Sequence, residues 1–239
     1  MIRHFHKPPF LISLLLLAAI FIISCNNGSP QRTAETTGDF LYLDYQATGE
    51  DGVKEAVVRI QFHLAGPDGP SLLLDSPATV LFDGHPMTEG KSKMNGSYYE
   101  AAFLLDETNN QHFISYRDMA GHIYNDTFSF PYFRLAEELP AVINRSKGLQ
   151  INFASLSDST PIHTMLTDTS FYGRGIDRVD SVTANHLQFS DIELLALKNG
   201  PIHLEFFREE EHYLQRNGRL HGRLYLSYNV SREFELVGK

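Results

Sequence analysis

Eleven histidines, nine of them beyond residue 24, a surplus of carboxylates and one cysteine are the residues of this chain that could do chemistry. Beyond residue 24 the histidines stand at 63, 85, 112, 122, 163, 186, 203, 212 and 221. None forms His-Glu-x-x-His or joins a Cys/His cluster, the close spacing that a zinc site requires. His203 and Glu205 lie two apart on one strand face and could share a ligand, as could His221 and Arg223; a solvated sheet face is the simpler reading of both. Glu209-Glu210-Glu211, followed by His212, reads as a charged hairpin rim rather than a divalent-ion site. Asp39 with Asp44, and Asp177 with Asp180, supply the residue types of glycoside hydrolysis. Spacing alone places neither pair across a cleft, and turn capping is the simpler use. No Gly-x-Ser-x-Gly elbow occurs. Gly66-Pro67-Asp68-Gly69 and Gly173-Arg174-Gly175 lack a Walker context and read as turns. The expectation is a chain that is not an enzyme, with no catalytic residue, no metal ligand and no cofactor.

Binding is the more natural use of these residues. The chain holds 17 Phe, 11 Tyr and no Trp, and most of the aromatic rings must fill cores. Adjacent strand residues point to opposite faces, so one of Tyr98 and Tyr99 is expected outside. Phe171-Tyr172-Gly173-Arg174-Gly175 is aromatic, cationic and glycine-bearing on an expected inter-strand loop. Phe171, Tyr172 and Arg174 are therefore the first candidate contact surface, and Tyr132, Phe133 and Arg134 the second. The lack of tryptophan weighs against a sugar-stacking platform.

The elements that must position these residues read as strands. Val58, Ile60, Phe62 and Leu64 alternate with Arg59, Gln61 and His63, the period of a sheet with one wet face. Further strands are expected at Ala78–Phe82, Tyr98–Leu105, Gln111–Tyr116 and His122–Phe130, parted by turn clusters. Short strands at this spacing are the sign of a sandwich. Pro131 to Gly148 interrupts the rhythm with a polar link, and Pro140 argues against a long helix there. The second half repeats the style, with strands near Ile162–Leu166, Arg178–Thr183, His186–Leu197, Pro201–Phe207, Arg219–Tyr228 and Arg232–Val237. Asp191–Asn199 is ambiguous between strand and helix, and Gly222 suggests a bulge or bend. The expected fold is all-β, with two tandem sandwiches at 39–137 and 149–239 joined by a linker at 138–148.

Cys25 is the only cysteine, so no internal disulfide can form. It follows a basic start, Arg3 and Lys7, and an apolar run from Phe10 to Ile23 broken only by Ser13. That run has signal-peptide length and falls short of a membrane span. Ile22-Ile23-Ser24-Cys25 resembles the lipobox of bacterial lipoproteins. The resemblance implies a signal peptide at 1–24, cleavage before Cys25, acylation of Cys25 by lipid such as palmitate, and a tether at 25–38. Asn26 in place of Asp after the cysteine implies the outer membrane, facing the periplasm or the cell surface. Several acyl chains together anchor stably where one holds only marginally.

Removal of Arg3 and Lys7 takes the formal net charge from -9 to about -11, which excludes an electrostatic case for nucleic acid. Ala78-Thr79-Val80-Leu81-Phe82-Asp83-Gly84 and Tyr116-Arg117-Asp118-Met119-Ala120-Gly121 resemble the aromatic-x-Asp-x-x-Gly turns of extracellular β modules. Aspartate caps such turns and glycine takes the positive φ. The whole mature chain resembles Bacteroidota-type lipoproteins with tandem immunoglobulin-like modules. That resemblance implies a non-catalytic cell-envelope lipoprotein serving protein interaction or structure, with the bilayer and an envelope protein or glycan as partners. The alternatives are an accessory carbohydrate-binding lipoprotein of a nutrient-uptake system and an envelope hydrolase.

Overall fold

The computed structural model describes residues 31–32, 41–105, 110–169, 175–216 and 219–239, and strands dominate them. In chain order the first ten are β1 (Gln31–Arg32), β2 (Leu41–Glu50), β3 (Glu55–Leu64), β4 (Ser71–Leu73), β5 (Thr79–Phe82), β6 (His85–Pro86), β7 (Thr88–Ser92), β8 (Gly96–Leu104), β9 (Gln111–Arg117) and β10 (Ile123–Ser129). Then come β11 (Val142–Asn144), β12 (Leu149–Asn152), β13 (Pro161–Asp168), β14 (Ile176–Ser181), β15 (His186–Phe189), β16 (Gly200–Arg216) and β17 (Arg219–Val237). No helix among the described residues is long and apolar enough to cross a membrane.

A large sheet runs in the order β1-β4-β3-β2-β17-β16-β13-β14, with β8 also on β3, β7 on β8 and β11 on β17. A four-stranded sheet, β10-β9-β5-β6, covers one part of its inner face, and the β12–β15 pair forms a further small sheet. The alternation expected for β3 holds, with Val58, Ile60 and Phe62 fully buried. Phe62 meets Tyr116 of the smaller sheet at 4.9 Å between ring centroids, and Phe103 meets His112 at 4.3 Å. This is sandwich packing, in which side chains from two inner faces interdigitate.

The sheet crosses the expected linker. β17, at the end of the chain, pairs in parallel with β2, from Gly222 beside Leu43 to Asn229 beside Glu50. Val142–Asn144, expected in a polar link, is a strand that pairs in parallel with Glu235–Val237. Phe130, Phe133 and Phe153 converge with Tyr228 and Phe206 in a chain of ring contacts 5.3 to 6.0 Å apart. One hydrophobic cluster thus draws on both sides of 138–148. Local polarity suggested a linker because Glu137, Glu138 and Lys147 are charged; the apolar Ile143 between them is buried at 6 % exposure.

Two readings of individual segments are corrected. Asp191–Leu194 is a short helix, α1, and not a strand. Ser190 accepts from the Glu193 N–H while the Glu193 carboxylate accepts from the Ser190 N–H and hydroxyl, a capping box that favours the first turn. The segments read as separate strands from Pro201 onward form one long hairpin, β16 with β17. The bulge expected at Gly222 is present: Leu214 faces Gly222 and Gln215 faces Leu220, which leaves His221 as the extra residue. A Cβ on Gly222 would stand 2.0 Å from the Leu43 carbonyl oxygen, so only glycine lets β17 approach β2 here.

Candidate functional site: the outer face of the large sheet

On β2 the strand period buries Leu43, Tyr45 and Ala47 inward and sends Tyr42, Asp44 and Gln46 outward. Register then fixes the neighbours. His63, Gln61 and Arg59 of β3 lie beside Tyr42, Asp44 and Gln46, and Arg223 and Tyr225 of β17 flank Asp44 and Gln46 on the other side.

Asp44 faces outward yet is only 8 % exposed. Arg223 closes over it, with Nε donating to Oδ1 at 2.9 Å and Nη2 to Oδ2 at 3.2 Å. Its Nη1 also reaches Glu211 at 3.5 Å. The Asp44 hydrogen bonds hold the guanidinium charged well beyond its ordinary range, against the opposing effect of burial. Burial pushes the Tyr42 phenol up, an effect that Arg223 opposes and Asp44 and Glu211 reinforce. Gln46 adds a donor to Asp44 at 3.2 Å.

A second matched pair stands on the other side. Arg59 donates to Glu100 from Nη2 at 2.6 Å and from Nε at 3.2 Å, and its guanidinium lies 4.3 Å above the Tyr98 ring. Between the two pairs Gln61, 8 % exposed, donates its amide hydrogens to the carbonyls of Asn95 and Ser97. The Ser97 N–H in turn donates to Ser71 Oγ at 2.7 Å, so the β7–β8 hairpin is tied down as a wall. His63 Nδ1 lies 2.9 Å from the Gly69 carbonyl, which makes Nδ1 the protonated nitrogen of the neutral ring. Asp44, Gln46, Arg59, Gln61 and His63, with the β7–β8 hairpin, line an open groove of about 750 Å³ over β2 and β3.

The expected turn motifs are built as their chemistry requires. Asp118 Oδ1 accepts from the N–H groups of Ala120 and His122, each at 2.9 Å, and Gly121 takes φ 87°. Burial alone would raise the Asp118 carboxyl; hydrogen bonds from His122 and Tyr124 outweigh it and hold the group below its ordinary range. Asp83 accepts from the Phe113 N–H at 2.9 Å and sits 2.7 Å from His112 Nδ1. The His112 ring is enclosed by Phe82, Phe103 and Phe128, a structural rather than a reactive setting.

The candidate residues read from the sequence divide as follows. Tyr98 lies half-buried on the outer face beneath Arg59, while Tyr99 is 5 % exposed and accepts from the Leu74 N–H at 2.8 Å. Phe133 is fully buried, Tyr132 is half-buried against Tyr228, and Arg134 is exposed. Phe133 therefore packs inside, Tyr132 is partly covered and Arg134 stands at the surface. Phe171, Tyr172 and Arg174 lie outside the described residues, as do Cys25 and Asp39.

Asp39 lies outside the described residues, and the other expected acids are each held by a separate partner. Asp44 belongs to Arg223; Asp177 lies 2.6 Å from His163, and Asp180 pairs with Arg178 at 2.8 Å. Neither Asp177 nor Asp180 caps a turn, because both sit within β14. His203 lies 3.6 Å from Glu205 and 3.7 Å from Glu233 on a half-exposed face. Among the described residues no three of His, Cys, Asp and Glu gather as a metal site. Sequence reading missed Arg59, Gln61, His63 and Arg223 as a set. Their outward alternation was visible, but their neighbours across β2 and β17 come from pairing over 179 positions.

No family model matches the chain, and no curated protein matches it. Among solved structures the chain is similar to Dpr11 IG1 bound to DIP-gamma IG+IG2, at 8 % identity and TM-score 0.24, over 83 % of this chain and 98 % of that one. It is similar to a bacterial ice-binding adhesin at 11 % identity and TM-score 0.22, over 87 % and 65 % of the two chains. A third is SGBP-B of the Bacteroides ovatus mixed-linkage glucan utilization locus in complex with a mixed-linkage heptasaccharide, at 10 % identity and TM-score 0.18, over 86 % and 68 %. At these scores no function is carried over, and the all-β architecture rests on the strands themselves.

Proposed function

We propose that the chain is a non-catalytic cell-envelope lipoprotein, held in the outer membrane by acylated Cys25, that acts as a protein-interaction module. The observation that carries this reading is the outer edge of β16. β13 pairs with β16 only from Ile202 to Phe207, so Arg208–Arg216 has no second strand partner among the described residues. Pro161 begins β13 and supplies no N–H with which to extend the ladder. An extended segment of a partner can add there by main-chain hydrogen bonds, with side chains setting specificity. Glu209, Glu211 and Tyr213 alternate onto the outer face, and this rim favours a partner segment carrying Lys or Arg. The same carboxylates discourage edge-to-edge aggregation of the free protein.

The modules expected at 39–137 and 149–239 serve this reading as two lobes whose β2 and β17 share a ladder, so the edge is presented on a firm sheet. Pull-down of the intact lipoprotein from envelope extracts tests the reading, with wild type beside Glu209→Lys/Glu211→Lys. The expected result is a specific envelope protein retained by the wild type and lost with the variant; equal recovery by both sinks it. Acyl labelling of wild type and Cys25→Ala tests the anchor, with label expected on the wild type alone.

A further inference from the structure

The groove over β2 and β3 is separated from the β16 edge by β17 and has a floor of largely buried polar residues, Asp44 and Gln61, each 8 % exposed. Its volume, about 750 Å³, falls in the range of ligand clefts. Burying such groups is costly unless each is used, and their bonding pattern says what the groove can take. Asp44 is neutralised by Arg223 and Arg59 by Glu100, so the floor and one wall carry no unmatched charge. A ligand seeking an ion pair with Asp44 or Arg59 would have to break one of these pairs. Gln61 spends its amide hydrogens on the hairpin carbonyls, which leaves Oε1 as an acceptor. His63 spends Nδ1–H on Gly69, which leaves Nε2 as an acceptor. Donors stand opposite, on the exposed Lys91 and Asn95 of the β7–β8 hairpin. The Tyr98 face is already covered by Arg59, so recognition here works by hydrogen bonds and not by ring stacking.

Fixed acceptors facing donors, over floor charges that are already matched, suit a ligand that offers many hydroxyls. We infer that the groove is a binding site for a neutral saccharide chain, whose hydroxyls donate to His63 Nε2 and Gln61 Oε1 and accept from Asn95 and Lys91. The more apolar groove of about 460 Å³ between Leu139 and Asn152 lacks such a pattern.

The test is an array of neutral oligosaccharides probed with the full chain carrying Cys25→Ala, followed by titration of the retained sugar. His63→Ala and Asn95→Ala should each weaken binding about tenfold or more, the scale of one lost hydrogen bond to a fixed group. The ring-proton resonances of His63 should shift on titration of wild type while those of His186, on the separate β12–β15 pair, stay in place; this readout needs no variant. Retention of no neutral sugar, or of charged glycans or peptides alone, overturns the inference. So does sugar binding that leaves the His63 resonances unmoved. Because His63 is not on the β16 edge, failure here leaves partner capture by Glu209 and Glu211 unaffected, and the two outcomes are separable.

Discussion

Arg223 grips Asp44 with two hydrogen bonds, 2.9 and 3.2 Å long, across a separation of 179 positions. The pair sits where the last strand of the chain lies parallel to β2, so a single contact ties together the polar face, the groove floor and the joining of the two halves. Its chemistry is a bidentate fork on a carboxylate that has little access to water.

Removing one partner should cost more than removing both. Arg223→Met leaves a buried carboxylate unpaired and should lower stability by about 2 kcal/mol, whereas Asp44→Asn with Arg223→Met should recover part of that loss. Urea midpoints of the two single variants and the double variant close the cycle, with a coupling above about 1 kcal/mol expected.

The shared ladder bears on how the chain divides. A fragment spanning 39–137 lacks the β17 partner of β2 and the Tyr228 ring that Phe130 and Phe133 pack against. Such a fragment should show no cooperative thermal transition by circular dichroism. A sharp two-state melt would establish the first half as an independent domain.

Gly222 provides a steric test of the same junction. Gly222→Ala places a Cβ against the Leu43 backbone and should destabilise by more than about 2 kcal/mol. Gly52→Ala, at φ 80° with open space around the new Cβ, should cost only about 1 kcal/mol from backbone strain. Equal costs would show that β17 and β2 do not approach so closely.

Asp118 gives a pH signature. Its carboxyl is held below its ordinary value in the folded chain, so its stabilising contribution is present above the unfolded value, near pH 4, and is lost as pH falls through the lower folded value. Wild type should exceed Asp118→Asn in melting temperature at pH 6, and the difference should shrink between pH 4 and pH 2. A difference independent of pH would show that the charge of Asp118 contributes nothing.

Local chemistry made much of this architecture legible, and distant pairing hid the rest. The alternation through Val58, Ile60 and Phe62 marked β3, and Asp118 with Gly121 marked the turn between β9 and β10, because both signals lie within a few residues. Ser190 and Glu193 also carried a local signal, the capping box, but the apolar Ile192, Leu194 and Leu195 outweighed it as strand formers. Glu209 to Glu211 read as a rim because acidic residues are poor strand formers; pairing with β17 overrides that preference. The groove was invisible for a different reason. Arg59, Gln61 and His63 were seen facing outward, yet their use depends on the hairpin around Asn95, on Gly69 and on Arg223, none of which their spacing specifies.

Site-specific photo-crosslinking most directly tests whether the edge of β16 that has no second strand partner among the described residues receives an envelope protein. A photoreactive residue is placed at Tyr213, 62 % exposed on that edge, and as a control at Ile192, 74 % exposed on α1. The account predicts one discrete protein adduct from position 213 in cells, absent from position 192 and lost when Glu209 and Glu211 are changed to lysine. No adduct at 213, or the same adduct from both positions, would contradict it.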